Sequence, residues 1–172
     1  MSDPADIAAV RAGVAALTHP VYAVAGLPIH AIGADPRSVN NGAFAQHGTS
    51  AWQITVQTAP VPLEDAADGV RGSLLPLLLD QSPMTSTSEA ELRAQLVARH
   101  QAADRAVAAI PVAVRIVQVD GVGVEFAFGD AGEWWAAAGH HAGVRLIVWG
   151  HHAPSDDLAL VSVADPVAHA PS

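Results

Sequence analysis

The sequence predicts an α+β fold: two principal helices, over about residues 4–18 and 87–110, packed on a mostly antiparallel sheet that ends in a C-terminal β-meander over about 112–163. Three observations carry this. Apolar residues recur at helical spacing near the N-terminus and again after residue 88. The period switches from helical to alternating at Pro111. Beyond it, short alternating runs are separated by turn sequences such as Asp120-Gly121 and Ala142-Gly143.

Asp3-Pro4 reads as an N-cap followed by proline in the first turn, where its missing N–H costs nothing. Ile7, Val10, Val14 and Leu17 then form a helical stripe, and His19-Pro20 stops it. Residues 21–32, apolar and broken by Gly and Pro, predict one or two short strands. Residues 33–50 read as a long connection with turn signals at Asp35-Pro36 and Asn41-Gly42, and connections of that length are often functional. Residues 52–58 alternate as a half-buried strand, with Trp52, Ile54 and Val56 on one face.

The stretch 63–80 is ambiguous. Glu64, Asp65 and Asp68 open it like a helix, whereas Gly69, Gly72 and Pro76 read as breakers; the leucines at 74, 75, 77, 78 and 79 are expected in the core. A polar linker over 81–88 precedes the long helix, whose capping box is Ser86 with Glu89 or Ser88 with Glu91. Leu92, Leu96, Ala103, Val107 and Ile110 make its buried stripe.

The strands flanking Asp120-Gly121 can pair in two registers. A two-residue turn puts Val119 opposite Val122 and Arg115 opposite Phe126. A bulged turn puts Gln118 opposite Val122, gathers Val112, Val114, Ile116, Val124, Phe126 and Phe128 on one apolar face, and sets Arg115 across from Glu125. The bulged register is expected, because it buries one face completely. Three further strands, over 133–138, 144–149 and 158–163, complete the meander. The whole chain, 1–172, reads as one domain, with mobile segments expected at 34–50, 80–87 and 165–172.

Composition narrows the function classes. The chain has no cysteine, which excludes disulfides, thiolate metal sites and a Cys nucleophile. Its eight basic residues are all Arg, so Schiff-base and P-loop lysine chemistry are excluded as well. A formal charge of −9 argues against nucleic-acid binding. The acidic first residues lack the features of a signal peptide, and no run approaches the roughly 18 apolar residues of a membrane span. A cytoplasmic, bacterial protein without membrane contact is expected.

Nine histidines stand out. His140-His141 and His151-His152 suggest a four-histidine metal site, but a strand joining the two turns would hold the pairs about 20 Å apart, whereas zinc needs its nitrogens at about 2.0–2.1 Å. They are read as solvated turn residues, with neither metal nor cofactor expected. His30 and His47, with Asp35, could form an acid/base group around the long loop. His100 could be held by Asp104 four residues on. Trp134 and Trp135 are adjacent in a strand and point to opposite faces, so one of them should look away from the core unless both faces are covered.

These features predict a non-catalytic accessory or protein-interaction protein that self-associates, contacting itself or another protein near Trp134, Trp135 and Trp149. The alternative is a small-molecule binder or enzyme with a pocket between the 33–50 loop and the sheet, using His30 and His47.

Overall fold

The computed structural model describes residues 4–34, 42–80, 82–85 and 88–172. They form three helices and a curled, mixed sheet of nine strands, an α+β architecture. In chain order the elements are α1 (Pro4–Ala15), β1 (Tyr22–Val24), β2 (Ala31–Ala34), β3 (Ala43–Gly48), β4 (Gln53–Ala59), α2 (Ala66–Leu78), α3 (Glu89–Ala108), β5 (Val112–Val119), β6 (Val122–Asp130), β7 (Trp134–His141), β8 (Val144–His151) and β9 (Ala159–Ser162). The strand order is β1-β9-β5-β6-β7-β8-β4-β3-β2. Among the described residues every pairing is antiparallel except β5 with β9.

The inner face of the sheet is built from small residues, and that permits tight curling. Ala43, Ala45 and Ala137 are fully buried there. Gly139 and Gly150 leave room for rings: a Cβ on Gly139 would meet Phe126, and one on Gly150 would collide with the Trp135 indole. Curling brings edge strand β1 against β3 and β4. Side chains then close the gap that backbone pairing does not. The Tyr22 N–H donates to Thr58 Oγ1 at 3.2 Å, and the Val24 N–H donates to His47 Nε2 at 3.1 Å. Val14 of α1, Tyr22, Ile32, Phe126, Leu146 and Leu160 fill the enclosed core.

A second core lies outside the curl. Val70 and Leu74 of α2, with Val107 of α3 and Ile110 just beyond it, cover Ala127, Ala136, Ala138 and Ile147 on the outer face. Burying Val70 and Leu74 is worth about 1.5–3 kcal/mol each.

Several expectations are corrected. The two principal helices are three, because 66–78 is one continuous helix. Asp65 caps it by accepting the N–H groups of Ala67 at 2.8 Å and Asp68 at 3.1 Å. Gly69 is a contact residue there and not a breaker, since a Cβ would stand 3.2 Å from that of Ala138 and 3.1 Å from Leu63 Cδ1. Pro76 lies within that helix on an exposed position. Helix α1 ends at Ala15, short of residue 18. In α3, Ala103 and Val107 are buried as expected, but Leu96 is 43% exposed.

The hairpin takes the two-residue turn. Val119 pairs with Val122 and Arg115 with Phe126. Asp120 and Gly121 both adopt left-handed backbone, at φ 49° and 77°, which matches the twist of the flanking strands. Arg115 therefore does not face Glu125; its guanidinium sits 4.7 Å from the centre of the Phe128 ring. The last strand does not extend the meander beside β8. It returns to the far side of β5, where β1 supplies its other neighbour. Residues 31–34 and 43–48 are strands, paired antiparallel over 31–34 and 43–46, so the described residues at both ends of the 33–50 connection belong to the sheet. Residues 166–169 form a 3₁₀ turn capped by Asp165, and Arg11 donates to the carbonyls of Ala170 and Pro171. The C-terminal tail is thereby tied to α1. Asp3, Asp35 and Ser86 lie outside the described residues.

Candidate functional site

The two faces of the sheet sort the tryptophans. Trp135 points inward, is 5% exposed, and donates its indole N–H to the Ala153 carbonyl at 2.8 Å. Both ends of that ring are satisfied, and the side chain belongs to the core. Trp134 and Trp149 point outward and are half-buried. Trp149 meets Phe44 edge-to-face, with ring centres 6.3 Å apart. Trp134 stacks on His151 at 4.2 Å, its cross-strand partner in the β7–β8 register.

His30 and His47 do meet around one cleft, of about 260 Å³, lined also by Gln46, Thr49, Ser50 and Thr55. Small-molecule sites usually enclose about 300–1,000 Å³. The two histidines differ in kind. The His30 side chain is exposed. His47 is 2% exposed, and both of its ring nitrogens are committed. A carbonyl oxygen can only accept, so Nδ1–H donates to Pro28 O at 2.9 Å, leaving Nε2 to accept from Val24. Burial pushes the His47 pKa below its ordinary value, against a smaller opposing effect of the Pro28 bond. A neutral imidazole bound at both nitrogens is a strut across the seam between β1 and β3, and it has no nitrogen left to act as a base.

His100 is also placed otherwise than expected. It is exposed, and its Nδ1–H donates to Leu96 O at 2.9 Å, one turn back, and not to Asp104. Tyr22 is buried with its phenol toward Asp120, and burial followed by that carboxylate raises its pKa. The Asp120 carboxylate also accepts the Ser162 N–H at 2.8 Å, so the hairpin turn is tied to β9.

The paired histidines lie at opposite ends of the β7–β8 ribbon, as the spacing requires: His141 pairs with Val144 at one end and His151 with Trp134 at the other. Within the second pair the chain is not extended. His152 has φ 49°, a left-handed conformation that turns its ring back to 4.1 Å from that of His151. Glu133 completes the group. Its carbonyl accepts the His152 N–H at 2.9 Å, and its Oε1 lies 3.9 Å from His152 Nε2. One ligating atom from each of Glu133, His151 and His152 falls within 4.8 Å of the others. Sequence reasoning missed Glu133; the available signal was the antiparallel register, which sets residue 134 opposite 151 and so 133 beside 152.

No described helix is long and apolar enough to cross a membrane. No family model, curated protein or solved structure matches this chain.

Proposed function

We propose that this chain is a non-catalytic interaction protein that self-associates through the outer face of β5. One observation carries the reading. Val114 and Ile116 are 69% and 61% exposed on the stretch of β5 that runs beside β6 but beyond β9, which pairs only with Gln118 and Val119. Their β-branched side chains stand open on the face that α2 and α3 cover further along. Burying such a side chain recovers about 1.5–3 kcal/mol, and a twofold contact uses each residue twice. The outward half-buried Trp134 and Trp149 offer a second aromatic area on the same face of the sheet. The commitment of both His47 nitrogens weighs against the cleft as a catalytic centre.

The test is sedimentation velocity over a wide concentration range, with Ile116→Lys as the variant. Lysine there faces Glu125 across the strands, which preserves the fold while charging the patch. A wild-type dimer and a folded, monomeric variant are expected. A wild-type protein that stays monomeric, or a variant that assembles like wild type, overturns the proposal.

A second reading, capture of a small polar ligand, rests on the cleft at His30, Gln46, Thr49 and Ser50. Native mass spectrometry against the denatured mass tests it: extra mass lost in Gln46→Ala supports it, and identical masses remove it.

A further inference from the structure

We infer that Glu133, His151 and His152 form a binding site for one divalent transition-metal ion of the zinc class. Two imidazole nitrogens and one carboxylate oxygen are a donor set that such ions favour over magnesium or calcium, which take oxygen ligands. The three residues are held by backbone geometry and not by sequence proximity alone. Glu133 immediately precedes β7 and His151 ends β8. The bond from the His152 N–H to the Glu133 carbonyl and the pairing of Trp134 with His151 fix their spacing. The Ala131 N–H donates to the Trp134 carbonyl at 2.8 Å, and the Gly132 N–H to Asp130 Oδ1, also at 2.8 Å, so the turn leading into Glu133 is set as well.

Two further features fit this role. His152 holds a left-handed backbone that costs a non-glycine residue roughly 1–2 kcal/mol, and the effect of that turn is to bring the second imidazole beside the first. Trp134 stacks on His151, with ring centres 4.2 Å apart and planes 23° from parallel, which limits rotation of that imidazole. The donor atoms are slightly further apart than a bound ion requires. Ligands at about 2.0–2.2 Å in tetrahedral array lie roughly 3.3–3.6 Å from each other, whereas His152 Nε2 and Glu133 Oε1 are 3.9 Å apart and the three donors together lie within 4.8 Å. The Glu133 and His152 side chains are exposed, so their torsions are free to bring the donors onto an ion. With three protein ligands, a tetrahedral ion keeps its fourth position open to water. Binding requires both histidines neutral, so affinity falls with acidification.

The experiment is calorimetric titration of zinc chloride into the untagged, chelator-treated full chain near neutral pH. NMR of the imidazole resonances follows the same titration. One equivalent per chain is expected, with His151 and His152 shifting and His140 and His141 not. Glu133→Gln, His151→Ala and His152→Ala should each weaken binding by more than about tenfold, and His140→Ala should leave it unchanged. These positions are at least partly exposed, and Glu133→Gln keeps the side-chain shape, so that variant reads binding even if a histidine variant folds poorly. The absence of saturable binding overturns the site, as does one equivalent per two chains. Wild-type affinity in Glu133→Gln, or equal weakening by His140→Ala, would also overturn it.

Discussion

Replacing His47 by alanine removes the strut between β1 and β3 and leaves two backbone groups without partners: the Val24 N–H and the Pro28 carbonyl. An orphaned buried polar group costs about 1–3 kcal/mol. Val24 is buried and carries the full penalty, whereas the Pro28 carbonyl is only partly covered and recovers some of it from water. The expected loss is about 2–4 kcal/mol at pH 8, or a Tm lower by about 5–15 °C for a chain of this size. The same bond makes that loss depend on pH. Burial places the folded-state pKa of His47 below 6.5, so as the pH falls the unfolded chain takes up the proton first. The stability that His47 contributes is therefore present in full above pH 6.5 and is lost as the pH falls through the folded value. Protonation of Nε2 also ends its ability to accept from Val24. Urea unfolding of wild type and His47→Ala at pH 8 and pH 5 measures both effects, and taking the difference between the two proteins cancels the other histidines. The variant should cost clearly less at pH 5 than at pH 8. An equal cost at both values, or a cost below about 0.5 kcal/mol at pH 8, would refute the strut.

Asp65→Ala should destabilise the chain by about 1 kcal/mol in chemical unfolding, because the first turn of α2 loses the acceptor for two N–H groups. Gly139→Ala should cost more, about 2–3 kcal/mol, since its Cβ would overlap the fully buried Phe126 ring in a core with no slack; Gly33→Ala, where a Cβ meets nothing within 4 Å, is the control and should cost well under half as much in the same assay.

The elements that local chemistry specifies were legible. The stripe of Ile7, Val10, Val14 and Leu17 does turn inward, and the four antiparallel strands β5 to β8 lie side by side. The α2 helix was obscured because intrinsic penalties of about 1 kcal/mol for Gly and 3 kcal/mol for Pro are stated for a free helix. Tertiary burial of Val70 and Leu74 is of the same size and offsets them, and at Gly69 the missing side chain is what lets the helix approach β7. The hairpin register was misjudged for a related reason. Maximising one apolar face assumed that Val114 and Ile116 had to be buried, whereas the curl gives its interior to Val117 and Val119 instead. Of the candidate sites, the separation of the two histidine pairs followed from strand length alone, while the role of His47 depended on which strand came to lie across from it.

Sequence by itself determined what acts within a few residues: the N-terminal and long helices, the position of the turn at Asp120-Gly121, the alternation along each strand, and the exclusion of thiol and lysine chemistry. Only tertiary structure decided the partners of β9, the closure of the seam by His47 and Thr58, the inward turn of Trp135, and the meeting of Glu133 with His151 and His152. The physical reason is range. Helix caps, turns and periodicity are energies of neighbours along the chain, whereas strand order and side-chain closure are set by how a sheet rich in Ala and Gly curls around its few large rings.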